Sequence, residues 1–578
     1  MAGHDPGRRG SGRSGDPEDG GGRLVSAAGL LEPLEQQAAL FAAAPNRFSL
    51  MKAARGAPAG ERTLQVLRNH AFEGAASVLP AFLGFAGAPM RVEIGDYDDS
   101  LNLPEEAGDA RLVWLDYARY GRLDDEALVA WIVGRLDALR AAAAGPLIVS
   151  NAPDAGDRYA ALNGALAAWA ERTPAAAVLR LDEIARRLGE RTFDEARAQA
   201  TGTRLGEAAI LESARALAFE ILAGFFTLPV KALAVDLDNT IYEGVLGEDG
   251  TSGVRLTADH AALQAAIVRW AERGVLVAVV SRNEAEDVAE LFRARADFPL
   301  KAEHVSAWQV SWGAKSDAVR AAAKAFNIGP DAVLMIDDNL GELVEAGARV
   351  PGLRLLHAGP TAADAARALD LYPGLPRGKA TFAGRAADIA ANAEREALAR
   401  ELDEEEYLRA LQAELVLSLD PAEDRERLAE ISRKTNQFNL ALARLDETAV
   451  DEYLGRDDRL VAHVRLSDRL ADSGSVAALF ARRDGDTLVV DELCISCRAL
   501  GRRLEDVMVA EALRRGVEAL GARRAAFAWR RGPRNDPALE WAARFTGRPL
   551  EGEEGLVEAP GSALEGPSGA PVTVKWTN

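Results

Sequence analysis

The chain has 578 residues, which is too long for a single hydrophobic core and predicts about two to four domains. Its formal net charge of −21 disfavours nucleic acid as a partner, and it disfavours docking on an anionic protein except through a local basic patch. No stretch approaches the roughly 20 uncharged apolar residues that cross a bilayer, and the two cysteines build no secreted disulfide framework, so we expect a cytoplasmic chain without membrane contact.

The first part of the chain predicts a tail followed by an α/β domain. Residues 1–23 are rich in Gly, Arg, Ser and Asp and lack the apolar segment of a secretory signal, so we expect them to be disordered. Residues 24–226 combine Ala-rich helical patterns with short apolar runs that end in polar turns, as in parallel α/β units. The helical pattern "ESARALAFEILAGFF" closes this region.

A second α/β alternation occupies residues 227–372. The buried-strand patterns "KALAVDLD", "VLVAVVSRN" and "AVLMIDDN" alternate with helical patterns such as "ADHAALQAAIVRWAERG". This alternation predicts a doubly wound parallel sheet, which binds its ligand beyond the carboxyl ends of its strands. Asp236, Ser281 and Asp337 all fall at such strand ends, so they are candidate site residues.

The remaining sequence predicts a linker and a third domain. Residues 373–412 show a charged helical pattern and are expected to form the linker. Residues 413–578 predict a mixed α+β domain with the strand patterns "RLVAHVRLSD", "SVAALFARR", "TLVVDELCISC" and "RRAAFAWRR" and a helix from about Leu504. Residues 551–578 are rich in Gly, Pro and Glu, and we expect loops there.

Two closely spaced carboxylates follow the apolar run "KALAV". In an extended strand residues i and i+2 share a face, so Asp236 and Asp238 are expected to address one site. Their mutual repulsion favours a bound cation, and Mg²⁺ suits carboxylates that lie beside phosphate. Asp236 then suits the role of nucleophile toward phosphorus, and Asp238 that of proton donor to the leaving oxygen. Alone, the pair could equally cap a helix or form an Asx-turn.

Further residues in the same order are expected to complete a phosphate site. Thr240 and Ser281 offer hydroxyl groups to phosphate oxygens, Lys315 supplies a positive charge near a helix start, and Asp337 adds a third metal carboxylate. Together with the aspartate pair, this set resembles the haloacid dehalogenase (HAD) superfamily of aspartate-nucleophile phosphotransferases over residues 230–356. The short intervals between the motifs leave no room for a large cap domain, so we expect an open site that accepts phosphate on a bulky or protein-bound carrier.

Motifs in both halves of the chain are similar to those of FkbH-like proteins, which belong to HAD subfamily IIIC. The matching segments are "DLDNTIYEGVLGEDG", "SRN", "WGAK", "IDDNLGE", "RKTNQFNL" and "SCRALGRRLED". The resemblance implies an SGNH-like, non-hydrolytic region over 24–226, a HAD core over 227–372 and a GNAT-like region over 413–578. Tyr242 and Glu243 stand where the family usually has Trp-Gly, which leaves the acyl donor open.

The same resemblance implies an activity and its partners. It points to an enzyme that transfers a glyceryl-type three-carbon unit from 1,3-bisphosphoglycerate, or a similar small acyl phosphate, to an acyl carrier protein. The transfer is accompanied by Mg²⁺-dependent dephosphorylation, in polyketide or related natural-product biosynthesis. Two alternatives stay open: a Mg²⁺-dependent phosphatase of a small metabolite, and a non-catalytic module that docks on a carrier protein. The complete set of site residues argues against the second alternative.

The segment around the two cysteines supplies further candidates. Cys497 precedes two arginines near a predicted helix start, which are conditions that activate a thiol, so it is a candidate acyl-carrying residue. A packed, inert cysteine is the alternative, and direct transfer to the carrier's own thiol would make Cys497 dispensable. Arg498, Gly501 and Arg502 lie in "RALGRR", which resembles the loop that holds a pantetheine pyrophosphate in acetyltransferases. These three residues are the candidate contacts for the carrier's phosphopantetheine arm.

Overall fold

A computed structural model describes residues 27–102, 108–143, 145–154, 159–196, 198–377, 391, 395, 398, 402–496, 499–500, 502, 504–565 and 572–577. The tail predicted over 1–23 lies outside the described residues, as do residues 378–390 of the predicted linker. Among the residues described, no helix is both long and apolar enough to cross a membrane.

The first sheet is parallel, and its strands lie in the order β2-β1-β3-β4-β5. In chain order, β1 to β5 are Arg62–Arg68, Met90–Tyr97, Ala110–Trp114, Leu147–Ser150 and Ala176–Leu179. The helices of this region are Ala27–Leu40, Arg47–Arg55, Glu73–Ala76, Leu79–Phe85, Asp125–Ala141, Ala160–Arg172, Leu181–Leu188, Ala198–Thr201, Glu207–Ala216 and Ala223–Phe226. A π-helical segment, Leu217–Leu222, joins the last two helices.

The second sheet is also parallel, with the strand order β10-β9-β6-β7-β8. In chain order, β6 to β10 are Ala232–Val235, Leu276–Ser281, Ala307–Val310, Val333–Asp337 and Arg354–His357. The helices around this sheet are Leu246–Gly253, Ala258–Glu272, Ala285–Ala294, Lys315–Ala325, Leu340–Arg349 and Ala362–Leu371. The strand order reverses between β6 and β9, and ligands of such sheets bind at the carboxyl ends of the strands beside that point.

Strand β6 is buried on both faces because helices cover both sides of the sheet. Its larger side chains, Leu233 and Val235, belong to one apolar cluster, whereas Ala232 and Ala234 belong to another. The first cluster also contains Val66 of β1, so the first two sheets share continuous hydrophobic packing. Such a strand reads as an uninterrupted apolar run, which is why the sequence pattern identified it.

The third sheet is mixed, with the order β16-β15-β14-β13-β12-β11-β17. In chain order, β11 to β17 are Glu414–Leu419, Arg459–Ser467, Asp472–Asp484, Thr487–Ile495, Arg524–Arg530, Glu554–Glu558 and Thr573–Thr577. The helices in this part of the chain are Glu404–Leu411, Arg425–Lys434, Glu447–Asp451, Glu505–Leu520 and Asp536–Thr546. Two parallel sheets and one mixed sheet confirm the predicted α/β fold class.

The expectation of loops over residues 551–578 is wrong. Strand β16 pairs antiparallel with β15, and strand β17 pairs parallel with β11. The two strands form the opposite edges of the third sheet, where a strand has a partner on one side only. Most of their side chains are exposed or half-buried. Strand β16, "EGLVE", has no apolar alternation, and β17, "TVKWT", alternates over five residues only, which is a weak signal in a stretch rich in Gly and Pro.

Candidate active site

Asp236 lies immediately after strand β6, at the point where the strand order reverses. Its backbone N–H donates a hydrogen bond to the carbonyl oxygen of Ile336 at 3.0 Å. The hydrogen bonding between β6 and β9 therefore extends to Asp236. The side chain is buried, and its Oδ1 lies 2.8 Å from Nζ of Lys315. The first candidate residue is therefore held in place by a second one.

Lys315 is the first residue of the helix Lys315–Ala325 and holds two carboxylates at once. Its Nζ lies 2.8 Å from Oδ1 of Asp236 and 2.6 Å from Oδ2 of Asp337. The Asp337 side chain is fully buried, and its Oδ1 accepts the N–H of Asn339 at 2.9 Å. The structure thus brings together three candidate residues that are separated by up to about a hundred positions in the sequence.

A third carboxylate lies beside the two that Lys315 holds. Asp236, Asp337 and Asp338 each offer one oxygen, and these oxygens lie within 4.8 Å of one another. The hydroxyl of Thr240 lies 3.4 Å from Oδ2 of Asp236 and 3.3 Å from Oδ1 of Asp338, and it accepts the Asp338 N–H at 3.1 Å. Lys315 pairs with two of these three acids, so the cluster holds more carboxylates than ammonium groups. Carboxylate oxygens are ligands that Mg²⁺ prefers. These residues could hold a divalent cation.

Burial and mutual repulsion change how these groups ionise. Burial raises the pKa of Asp236 to about 7; Asp337 adds to this increase, and Lys315 opposes it. Burial also raises the pKa of Asp337 above its usual range. Burial by itself would lower the pKa of Lys315, but the two carboxylates outweigh it and raise the pKa above its ordinary value. At neutral pH Lys315 is therefore charged. Without a bound metal ion, Asp236 is near the midpoint of its titration.

The carboxylate of Asp238 is held by three donors. Its Oδ1 accepts the hydroxyl of Tyr242 at 2.7 Å and the backbone N–H of Leu246 at 2.9 Å. Its Oδ2 accepts Nδ2 of Asn283 at 2.9 Å. Burial and the negative charge of Asp238 raise the pKa of Tyr242 far above its ordinary value, so this phenol remains a donor.

Asp238 is not one of the three acids whose oxygens lie within 4.8 Å of one another, although the sequence predicted that Asp236 and Asp238 share a face and bind one metal ion. That expectation assumed a continuous strand, whereas β6 ends at Val235. Beyond it the chain turns, and Asn239 adopts a positive φ of 53°. The third carboxylate beside Asp236 and Asp337 is therefore that of Asp338, the residue that follows β9.

Ser281 is the last residue of β7, and its side chain is buried at the same edge of the sheet. Its Oγ lies 3.0 Å from Nδ2 of Asn283, which also contacts Asp238. The sequence motifs alone assigned no role to Asn283 or to Tyr242. The signal for Asn283 was its place in the "SRN" motif, and Tyr242 stands in "DNTIY", four residues after Asp238.

No separate domain is inserted between the motifs. Residues 236–315 are all described, and between Asp236 and Lys315 they form helices and strands that pack on the second sheet. The longest of these is the helix Ala258–Glu272, whose buried face includes Leu263 and Ile267. This part of the chain therefore supplies no cap over the site.

The candidate carrier-binding loop is only partly described. Cys497, Arg498 and Gly501 lie outside the described residues. Arg502 is buried, with Nη1 2.9 Å from Oδ2 of the buried Asp468. Because both side chains of this ion pair are buried, Arg502 does not present its charge at the surface, as a contact for the carrier's phosphopantetheine arm would require.

The other cysteine is unsuited to nucleophilic chemistry. Cys494 is fully buried in β14, and its Sγ lies 3.2 Å from Oε1 of Glu492. Burial raises the pKa of the Cys494 thiol well above its usual range, and the negative charge of Glu492 raises it further. The thiolate form, which is the reactive one, is therefore disfavoured at this position.

Comparison with known proteins gives weak similarities to solved structures. No protein-family model matches the sequence, and a search of curated proteins found no match. One solved structure is the N-terminal part of the protein BF1531 from Bacteroides fragilis, which contains a phosphatase domain and was solved in complex with Mg. It is 21% identical to this chain with a TM-score of 0.47, and the match covers 58% of this chain and 100% of that one. An uncharacterized protein from Corynebacterium glutamicum is 15% identical with a TM-score of 0.18, over 25% of this chain and 94% of that one. The function assigned to this chain therefore rests on the geometry of its own site.

Proposed function

We propose that this chain is a Mg²⁺-dependent phosphatase in which Asp236 attacks phosphorus. The observation that carries the proposal is the buried arrangement in which Lys315 bridges Asp236 and Asp337 at the carboxyl edge of a parallel sheet. Phosphoryl transfer depends on positioning and charge neutralisation. It therefore needs a nucleophilic carboxylate, a fixed positive charge such as that of Lys315, and further acidic ligands for a metal ion, all at one edge of the sheet.

The residues present fit a magnesium ion. Asp236, Asp337 and Asp338 would hold it, because their oxygens already lie within 4.8 Å of one another and carry more negative charge than Lys315 neutralises. When bound, Mg²⁺ neutralises charge on the phosphoryl group and relieves the repulsion among these carboxylates.

Each remaining side chain has a separate task in the reaction. An oxygen of Asp236 forms a bond to phosphorus while the bond from phosphorus to the leaving oxygen breaks, and Asp238 gives that oxygen a proton. Asp238 then takes a proton from water, whose oxygen attacks phosphorus and breaks its bond to Asp236, releasing phosphate. In this proposal Lys315, which contacts Asp236, and the buried hydroxyl of Ser281 hold the oxygens of the phosphoryl group.

We further propose that this phosphatase acts within the transfer of a glyceryl-type acyl unit to an acyl carrier protein. Support comes from the resemblance of both halves of the chain to FkbH-like proteins, together with the absence of a cap within residues 236–315. A site without a cap accepts a phosphate carried on a bulky partner. Because Cys494 is buried beside Glu492, the acyl group would be carried by Cys497 or pass directly to the carrier's thiol.

Incubation with Mg²⁺, 1,3-bisphosphoglycerate and a carrier protein bearing phosphopantetheine tests both proposals by intact mass. A dephosphorylated three-carbon adduct on the carrier is the expected result. Phosphate release without an adduct would restrict the function to that of a phosphatase, and the absence of any turnover would contradict both proposals. The Cys497→Ala variant separates the two routes, since unimpaired loading would show that the carrier's thiol accepts the acyl group directly.

Binding of Mg²⁺ is expected to release a proton from Asp236 in a pH-dependent manner. Without a cation the pKa of Asp236 is about 7, so the carboxyl group is mostly protonated below that value. A divalent cation favours the ionised form, so binding at about pH 6 should release more protons than binding at about pH 8.5, with a difference approaching one per ion. Titration calorimetry in buffers of different ionisation enthalpy measures this number. Asp236→Asn should lose most of the pH dependence, and equal release at both pH values in the wild-type chain would contradict the prediction.

A further inference from the structure

Tyr242 is buried beside the site, with its hydroxyl directed at one acceptor. The ring is fully buried and stacks on Phe298, with 5.9 Å between the ring centroids. Its Oη lies 2.7 Å from Oδ1 of Asp238. Packing on one side and the hydrogen bond on the other define the position of the hydroxyl, so Tyr242 and Asp238 constrain each other.

The two oxygens of Asp238 differ in what they can still accept. A carboxylate oxygen offers two lone-pair directions. At Oδ1 these are taken by the hydroxyl of Tyr242 and the N–H of Leu246. Among the described residues, Oδ2 accepts one hydrogen bond, from Nδ2 of Asn283 at 2.9 Å. Among these contacts, Oδ2 therefore keeps one lone-pair direction open, whereas Oδ1 keeps none.

We propose that Tyr242 is a positioning residue that restricts proton donation by Asp238 to Oδ2. The inference rests on the proposed phosphatase function and assigns to Tyr242 a role that it exerts through Asp238. In the transfer step, an oxygen of Asp236 bonds to phosphorus, the bond to the leaving oxygen breaks, and the proton moves from Oδ2 of Asp238 to that oxygen. Without the Tyr242 hydroxyl, Oδ1 regains a lone pair, and the proton can reside on the wrong side of the carboxyl group.

The dependence on the leaving group tests this role. Tyr242→Phe keeps the ring and its packing on Phe298 while it removes the donor. The variant and the wild-type chain are compared on an alkyl phosphate, whose alkoxide leaving group requires a proton, and on nitrophenyl phosphate, whose leaving group is stable without one. We expect kcat/KM to fall about 10- to 100-fold for the alkyl ester and less than about threefold for the aryl ester. A residue that only maintained the fold would affect both esters equally.

A control variant and a second measurement complete the test. Tyr372→Phe removes the hydroxyl of another buried tyrosine, which bonds the carbonyl of Leu355 at 3.4 Å, and should leave both rates unchanged.

In Mg²⁺-free buffer, hydrogen exchange of the Leu246 amide reports on its hydrogen bond to Asp238 and requires no turnover. Tyr242→Phe should accelerate this exchange about tenfold. Equal losses on both esters, or unchanged exchange at Leu246, would overturn the inference alone. A wild-type chain that hydrolyses neither ester would overturn the proposed function and the inference together.

Discussion

Asp236→Asn is expected to lower the rate of phosphate release at least about 10³-fold, because a neutral amide is not a competent nucleophile toward phosphorus. The substitution keeps the size of the side chain, and Lys315 retains its contact with Asp337 at 2.6 Å. Release of phosphate from an alkyl phosphate in the presence of Mg²⁺ is the measurement. In the carrier-loading assay, the same variant should leave a three-carbon adduct that still carries its phosphate, visible as additional mass on the carrier.

Asp317→Asn is the matched control for this experiment. Asp317 lies two residues after Lys315 on the same helix, but its side chain is exposed and pairs with Arg320. This variant should retain wild-type activity, and both variants should melt as cooperatively as the wild-type chain. If Asp236→Asn kept more than about a tenth of the wild-type rate, residue 236 would not be the nucleophile and the mechanism would be wrong.

Lys315→Met is expected to reduce phosphate release about 10²- to 10³-fold, because it removes a fixed positive charge from the position where phosphoryl oxygens gather. Methionine preserves most of the side-chain length, so the packing around the helix start is retained. The same change leaves the buried carboxylates of Asp236 and Asp337 without their shared ammonium group. The Mg²⁺-free variant should therefore melt at a lower temperature than the wild-type chain, and added Mg²⁺ should recover part of the difference.

Lys324→Met on the same helix controls for the general effect of removing a lysine, since Lys324 is exposed to solvent. It should change neither the rate nor the response of the melting temperature to Mg²⁺. A Lys315→Met variant that melts like the wild-type chain without Mg²⁺ would show that the bridge between the two aspartates contributes little. Full activity in that variant would exclude Lys315 from the phosphate site.

Several features of the site followed directly from the sequence because parallel strands buried on both faces are easily recognised. The apolar runs that end before Asp236, at Ser281 and at Asp337 identified three strand ends. In a parallel α/β sheet those ends meet at one edge, so a shared site could be predicted without knowing any distance. The contact of Lys315 with two of these residues agrees with that expectation.

Other features depended on contacts that periodicity does not encode. The edge strand Glu554–Glu558 carries little apolar alternation, and Thr573–Thr577 carries it over five residues only. Their pairing with β15 and β11 is what makes them strands. The burial of Arg502 is another feature that the sequence pattern did not predict. The place of Arg502 in "RALGRR" suggested a contact for the carrier's phosphopantetheine arm, whereas burial beside Asp468 removes its charge from the surface.

The order of residue types along the chain determined the parallel architecture and the edge of the sheet at which the acidic residues collect. Only the tertiary structure decided which of those acids face one another, since that depends on where β6 ends and how Asn239 turns the chain. Asp238 points toward Tyr242 and Asn283 because donors from separate segments satisfy its oxygens there. Asp338 lies beside Asp236 because β9 adjoins β6, a pairing between residues that are about a hundred positions apart.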